Sequence, residues 1–271
     1  MRVCIRWIFL SGAAWIVMTP RPSAAQAPYY GAVRMARGQD VTPAFEGWMA
    51  NSDGTFTLYF GYMNRNYEEE LDIPVSPDNN VEPGGDRGQP THFYPRRQRL
   101  MFSIVVPKDW GPERKVVWTL NIRGRANVAQ GWLQPEWEID KEVIMLNAAG
   151  AADLQNEPPV IITGSGPQTI SLPNDVTLTA TAQDDGRPGP RRLRDVEGGN
   201  GQSAAGLSVR WIYYRGPGPV SFTQGTVATG YQKPVTSTTK VSFQVPGVYV
   251  LRAIASDGSL ATFHDVTVTV K

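Results

Sequence analysis

Three acidic side chains have the spacing in this sequence that most suggests catalysis. Glu136, Glu138 and Asp140 alternate with Trp137 and Ile139 in the segment PEWEID. On a β-strand the three acids would share one face, with neighbours about 7 Å apart, and a glycosidase needs two carboxylates roughly 5–10 Å apart. The pattern permits a glycoside hydrolase. A solvated strand face, with Trp137 and Ile139 turned to the core, explains it better, and we favour that interpretation.

Other catalytic chemistry is poorly supported by the composition. The chain has two histidines, His92 and His264, and one cysteine, Cys4. No Gly-x-Ser-x-Gly sequence occurs, and the His and Cys ligands that zinc prefers are too few. The 26 basic and 25 acidic residues nearly cancel, so the broad positive field of a nucleic-acid binder is missing. We therefore expect no catalytic residues and no nucleic-acid partner.

Calcium is the one metal that the sequence leaves open. Asp184 and Asp185 precede a glycine, as does Asp257. In a β-sandwich, the loops that carry these residues would meet at one end, and oxygen ligands from loops suit calcium. The alternative is that the Asp-Gly pairs only form turns. Asp184, Asp185 and Asp257 are therefore candidate calcium ligands, and we expect no other cofactor.

Aromatic and basic residues suggest a binding surface. Trp132 and Trp137, together with Trp110, are candidate stacking platforms for sugars, although most large aromatic residues belong to the core. Arg96 and Arg97 could hold an acidic polymer or a sugar chain, or could protect a strand edge from pairing. A long Gly- and Pro-rich segment, 183–206, carries four more arginines and is either a recognition loop or a disordered insertion.

The N-terminus has the features of a secretory signal peptide. Two arginines precede an apolar stretch, 7–18, and small residues follow at Ser23–Ala25. Cleavage fits after Ala25 or after Ala27, and we predict residues 1–25 as a signal peptide cleaved after Ala25. The alternative is an uncleaved anchor. The mature chain would then have no cysteine and no transmembrane segment, and would be secreted or periplasmic.

Period-two patterns predict two β modules. Phe56, Leu58, Phe60 and Tyr62 alternate with polar or small residues, and similar runs recur along the chain. Residues 28–147 are predicted to form an N-terminal β-sandwich or jelly roll. An alanine- and proline-rich segment, 148–159, is predicted to be a linker in which the alanines could form a short helical turn. Residues 160–271 have the length of an immunoglobulin-type sandwich.

The last 112 residues or so resemble immunoglobulin-like bacterial surface modules of the PKD (polycystic kidney disease repeat) type. The resemblance rests on Trp211, on Pro246–Leu251 (PGVYVL), on Ala255–Gly258 (ASDG) and on Asp265–Val270 (DVTVTV). It implies that Tyr249 is the corner tyrosine and that Trp211 fills the core. Leu178 and Leu251 would stand where antibody domains place their cysteines. The PKD hallmark Trp-Asp-Phe-Gly-Asp-Gly is absent, and Trp211-Ile212-Tyr213-Tyr214 stands instead.

These observations predict an all-β chain of two sandwiches in tandem, the second immunoglobulin/PKD-like, behind a cleaved signal peptide. We expect an exported, non-enzymatic interaction or scaffolding protein of the cell envelope or surface that binds through its sandwich loops. Its partner would be an envelope or extracellular protein, or a polysaccharide. The alternative is a carbohydrate-binding module, with or without calcium, and a weaker alternative is the glycoside hydrolase.

Overall fold

The computed structural model describes residues 34–149, 152–189, 206–223 and 227–271. The predicted signal peptide, Cys4 and most of the arginine-rich segment 183–206 lie outside these residues. The described part of the chain is built almost entirely of strands, so the all-β prediction is confirmed. No helix in this part is long and apolar enough to cross a membrane.

The described residues 34–149, which we call the first half, form eight strands in three sheets. They are β1 (Val41–Ala50), β2 (Phe56–Asn64), β3 (Leu71–Asp72), β4 (Asn79–Glu82), β5 (His92–Phe93), β6 (Arg96–Val106), β7 (Val116–Ile122) and β8 (Arg125–Gly131). One sheet has the order β1-β2-β6, a second has the order β4-β7-β8, and β3 pairs with β5. The ring of Trp118 on β7 lies 4.8 Å from that of Phe102 on β6, so the two larger sheets share one core.

The strand patterns of this half explain its core. Leu58, Phe60 and Tyr62, which occupy alternate positions of β2, are fully buried. The hairpin that leads into β2 turns at Gly54, whose φ of +84° is easily adopted only by glycine. The carboxylate of Asp53 accepts hydrogen bonds from the backbone and hydroxyl groups of Thr55. The Asp53-Gly54 pair therefore has the conformation that a tight hairpin turn requires.

Two short helical segments follow strand β8. Pro135–Trp137 forms a single 3-10 turn, and helix α1 spans Lys141–Ala149. Asp140 caps α1, because its Oδ1 accepts a hydrogen bond from the backbone N–H of Val143 over 2.8 Å. The expectation that the acids of PEWEID share one face of a strand is wrong, since the 3-10 turn ends the alternation.

The described residues from 152 to 271, which we call the second half, form nine strands. They are β9 (Val160–Gly164), β10 (Gln168–Ile170), β11 (Val176–Gln183), β12 (Leu207–Arg215), β13 (Val220–Phe222), β14 (Val227–Gly230), β15 (Val235–Phe243), β16 (Gly247–Ser256) and β17 (Ala261–Val270). One sheet has the order β10-β17-β16-β12-β14 and the other β13-β15-β11-β9. Only the pairing of β10 with β17 is parallel among the described strands. The two sheets enclose one core.

The residues expected to fill this second core are buried in it. Trp211 is 2% exposed, and Leu178, Leu251 and Tyr249 are fully buried. The hydroxyl of Tyr249 donates a hydrogen bond to the carbonyl oxygen of Val245 over 2.8 Å, four residues upstream. This is the arrangement that defines a tyrosine corner.

Strand β12 is buried on both faces. Trp211 and Tyr213 point into the second core, whereas Ile212 and Tyr214 belong to the core of the first half. The hydroxyl of Tyr94 on the first half accepts a hydrogen bond from the backbone N–H of Tyr213 over 2.9 Å. Residues 34–271 thus form one compact unit. The continuous apolar run at 211–214, which replaces the polar PKD hallmark, follows from burial on both faces.

Candidate functional site

Hydrogen bonds hold the segment that follows β8 against strand β1. The indole N–H of Trp48 donates to the carbonyl of Gln134 over 2.8 Å, and the N–H of Ile139 donates to the carbonyl of Trp48 over 2.9 Å. A Cβ on Gly47 would lie 2.7 Å from the carbonyl oxygen of Trp137, so only glycine allows this approach. These contacts hold the 3-10 turn, and with it the Trp137 ring, beside β1.

Two tryptophans flank one phenylalanine at this place. The ring of Phe45 lies 6.5 Å from that of Trp132, with the planes 16° apart, and 5.5 Å from that of Trp137. Trp137 is 43% exposed. The three rings line a groove of about 400 Å³ together with Pro43, Ala44, Val128, Ala129 and Gln130. We call this surface the aromatic groove.

Polar groups border the aromatic groove on one side. The ammonium group of Lys115 lies 4.9 Å from the centre of the Trp132 ring and donates a hydrogen bond to Oε1 of Gln130 over 2.9 Å. The groove therefore combines flat apolar faces with a hydrogen-bonding edge. Small ligands and sugars use both kinds of surface, as do the aromatic anchors of protein interfaces.

The predicted binding arginines lie on β6 and make other contacts. Nη1 of Arg96 donates to the carbonyl of Arg65, and its guanidinium lies 4.0 Å from the centre of the Tyr67 ring. Nη2 of Arg97 pairs with Glu46 at 2.8 Å. Burial raises the pKa of the Glu46 carboxyl, and the positive charge of Arg97 opposes that rise. Arg97 thus neutralises a half-buried acid of its own chain.

The candidate catalytic acids and one candidate stacking tryptophan lie in places that differ from what the sequence suggests. Glu136 and Glu138 are exposed residues in and after the 3-10 turn, rather than a pair on a strand face. Trp110 is only 7% exposed, and its indole N–H donates to the carbonyl of Arg114. Trp110 is therefore a core residue, and Trp132 and Trp137 are the tryptophans that form a surface.

The predicted calcium ligands lie at one end of the second half, where Asn156 joins them. The amide nitrogen of Asn156 donates to Oδ2 of Asp257 over 3.0 Å, while Oδ1 of Asp257 accepts from the N–H groups of Ser259 and Leu260. Burial, followed by the negative charges of Asp257 and Asp185, raises the pKa of Asp184.

Asp185 is engaged elsewhere. Its Oδ1 accepts from the backbone N–H of Arg187, and its Oδ2 accepts from that of Glu157. In the described residues, no group of three or more His, Cys, Asp or Glu side chains is arranged to hold a metal ion. Asn156 contacts Asp257, and the adjacent Glu157 bonds to Asp185, so Asp184 lies near this pair; we call Asn156, Asp184 and Asp257 the Asn156 cluster.

A larger groove of about 830 Å³ runs between β6, α1 and the outer face of β16 and β17. Several of its charged residues are paired with one another. Arg252 forms two hydrogen bonds with the carboxylate of Asp265, at 2.6 and 2.8 Å, and Lys141 pairs with Glu157 at 2.6 Å. Because these charges are already compensated, we regard the groove as a seam between packed elements.

His92 occupies an unusual position beside the contact between the two halves. Its Nδ1 lies 2.8 Å from Oδ1 of Asp72, and its Nε2 lies 3.1 Å from Oε2 of Glu70. The rings of Tyr94 and Tyr213 lie within 4.8 Å of the imidazole. Only the doubly protonated ring can donate to both carboxylates at once.

Comparisons with known proteins find only distant similarities to solved structures. No family model matches the chain, and no curated protein matches it. Solved structures similar to it include an immunoglobulin complex of titin and obscurin-like 1, at 17% identity and a TM-score of 0.25 over 43% of this chain and 96% of that one. The PKD domain of human KIAA0319 matches at 23% identity and a TM-score of 0.23, over 40% of this chain and 77% of that one.

The D00-D0 domain of intimin is also similar, at 11% identity and a TM-score of 0.26, over 85% of this chain and all of that one. Immunoglobulin and PKD domains are the two families that the residues of the second half resemble. At these TM-scores the likenesses carry no conclusion about a ligand or a function.

Sequence patterns alone did not identify Phe45, Gln130 or Asn156. Phe45 lies within strand β1, and its position between two tryptophans depends on the 3-10 turn that follows β8. Asn156 lies in the predicted linker, just before two prolines. Its position before the first strand of a sandwich was a usable signal, because that point lies at the same end as the loops of Asp184 and Asp257.

Proposed function

We propose that this chain is an exported, non-enzymatic interaction protein of the cell envelope or surface, and that it binds its partner through the aromatic groove. The observation that carries the proposal is the placement of Trp132 and Trp137 on either side of Phe45. Exposed tryptophans in a groove are frequent anchors of binding energy at protein interfaces.

The rigidity of the scaffold supports this proposal. The groove residues lie on β1, on β8 and on a turn that β1 holds through Trp48, so their positions are set before binding. A preformed site loses little conformational entropy when a ligand binds. The second half adds a packed sandwich that could hold this surface at a fixed distance and orientation from other parts of an assembly.

The proposal is tested by the binding of labelled protein to an envelope fraction of the source cells. We expect saturable binding that is lost in Trp137→Ala and retained in the matched surface variant Val248→Ala, since Val248 is 58% exposed on β16. Digestion of the envelope fraction with protease should abolish the binding. Binding that Trp137→Ala leaves unchanged would contradict the proposal.

A second candidate function is carbohydrate binding, which the polar edge of the aromatic groove favours. A sugar ring could stack on Trp132 or Trp137 while its hydroxyl groups bond to Lys115 or Gln130, which already form a hydrogen-bonded pair beside the rings. A groove of about 400 Å³ is within the size range of small-ligand sites.

A glycan array separates the two candidates. Carbohydrate binding requires saturable binding to a glycan that is lost in Trp132→Ala or Trp137→Ala, and binding to the envelope fraction that survives protease. An array with no saturable binder would remove this candidate and leave the protein partner.

A further inference from the structure

Two buried oxygen atoms at one end of the second half have no hydrogen-bond partner among the described residues. They are Oδ1 of Asn156 and Oδ1 of Asp184. Asn156 is fully buried. An unpaired buried carbonyl or carboxylate oxygen costs free energy, so its presence in a folded protein calls for an explanation.

The two oxygens belong to one cluster with Asp257. The amide group of Asn156 lies against Asp257, with Nδ2 3.0 Å from Oδ2. The N–H of Glu157, the residue after Asn156, donates to Oδ2 of Asp185 over 3.1 Å, so the loop that carries Asp184 lies beside Asn156. The cationic side chain that follows closely in sequence, Arg187, pairs with Asp153 at 3.0 Å instead. Two carboxylates and an amide oxygen thus lie together, and no ion pair among the described residues includes Asp184 or Asp257.

We propose that Asn156, Asp184 and Asp257 form a calcium-binding site. Carboxylate and amide oxygens from loops are the ligands that calcium takes in flexible geometry, with water or backbone carbonyls completing its six to eight positions. A divalent cation would satisfy both unpaired oxygens and neutralise the two carboxylates. The set contains no nitrogen or sulfur ligand, which makes zinc a poor fit.

The site would join three segments that are distant in sequence. Asn156 lies before β9, Asp184 directly follows β11, and Asp257 directly follows β16. Nδ2 of Asn156 also lies 3.7 Å from the sulfur of the buried Met145 on helix α1. Calcium binding would therefore stiffen the point at which the helix passes into the second sandwich.

The test combines calorimetric titration with thermal unfolding of the whole protein. We expect one bound Ca²⁺ per chain, with an affinity typical of extracellular modules, about 10⁻⁴–10⁻³ M. At free calcium roughly 100 times the dissociation constant, the midpoint of unfolding should rise by about 5 °C or more relative to chelator. Titration of the native protein that shows no calcium binding, together with an unchanged midpoint, would overturn the proposal.

The variant Asp184→Asn separates a metal ligand from a merely structural residue. Without calcium it removes the repulsion between Asp184 and Asp257, so we expect its midpoint in chelator to equal or exceed that of the native protein. With calcium it should lose most of the stabilisation. The matched control is Asp53→Asn in the first half, which should respond to calcium as the native protein does. Equal destabilisation of Asp184→Asn in chelator and in calcium would contradict the site.

Discussion

The ring of Phe45 stacks against that of Trp132, with the centroids 6.5 Å apart and the planes inclined by 16°. The contact joins strand β1 to the residue that follows β8, and it leaves room for Trp137 on the other side of Phe45. The aromatic groove is therefore a product of tertiary packing between β1 and the segment after β8. The ligand-binding role that we propose for it can be separated from its structural role by substitution.

Trp137→Ala should abolish ligand binding while changing stability little. Trp137 is 43% exposed, so we expect a loss of about 1 kcal/mol or less in the free energy of unfolding. The contrasting variant is Trp118→Ala, which removes a fully buried ring and should cost roughly 3–5 kcal/mol. Urea unfolding of both variants provides the measurement. A large loss of stability in Trp137→Ala would mean that its ring is primarily structural.

The variant Gly131→Ala should displace Phe45 and so distort the aromatic groove. A Cβ at this position would lie 2.7 Å from the ring of Phe45 and 2.8 Å from that of Phe60. The rings would have to move, at a cost of about 1–3 kcal/mol, and Phe45 would leave its place between the tryptophans. We expect weaker binding together with a lower urea midpoint. Gly111→Ala, where an added Cβ meets nothing within 4 Å, is the matched control.

His92 should make stability depend on pH. Burial alone would lower its pKa, but the hydrogen bonds and charges of Asp72 and Glu70 outweigh burial and raise the pKa above 6.5. The folded protein therefore holds this proton more tightly than the unfolded chain does. The resulting stability is fully present below about pH 6.5 and is lost as pH rises through the folded-state pKa.

We accordingly expect the free energy of unfolding to fall as pH rises above about 6.5, and to fall less in His92→Gln. Urea unfolding at a series of pH values measures this slope. His264→Gln serves as the control and should keep the slope, because His264 contacts the carbonyl of Ser165 rather than a carboxylate. An identical slope in the native protein and in His92→Gln would show that the carboxylates do not hold the proton.

Arg252, which lies at the contact between the first and second halves, should contribute strongly to the free energy of unfolding. Its guanidinium is almost fully buried, pairs with Asp265, donates to the carbonyl of Met101 and lies 3.6 Å from the centre of the Tyr214 ring. Removing the guanidinium leaves the carboxylate of Asp265 and the carbonyl of Met101 without this hydrogen-bond donor. Because Asp265 is partly exposed, we expect Arg252→Ala to cost about 3 kcal/mol, at the lower end for a broken buried pair.

The control for this variant is Lys240→Ala. The side chain of Lys240 is 49% exposed and lies 2.8 Å from that of Asp175, which is also partly exposed, so its loss should cost less than about 1 kcal/mol. Urea unfolding gives both values. Similar losses in the two variants would mean that Arg252 behaves as an ordinary surface residue.

The sequence predicts the strands well where an alternating pattern is long. The run from Phe56 to Tyr62 lies within strand β2 as predicted, and the run from Val176 to Ala182, which alternates in the same way, lies within β11. It fails at PEWEID, where the alternation spans only six residues and starts with a proline that suits the beginning of a 3-10 turn. What decides that segment is its bonding to Trp48, which is a long-range contact that no local pattern contains.

The candidate sites were only partly predictable for the same reason. The types of Trp132, Trp137, Asp184 and Asp257 mark them as possible ligand-binding residues, but their neighbours depend on packing. The apolar residues Ile212 and Tyr214 make sense only once the first half is known to cover β12.

Site-specific photo-crosslinking tests the central claim most directly. A photoreactive amino acid is placed at Val128, which lines the aromatic groove and is 48% exposed, and for comparison at Val248 on β16. We expect a discrete adduct with an envelope component in source cells from position 128 only, and its loss when Trp137→Ala is added. Adducts of equal yield from both positions, or an adduct at 128 that persists in Trp137→Ala, would contradict binding through the groove.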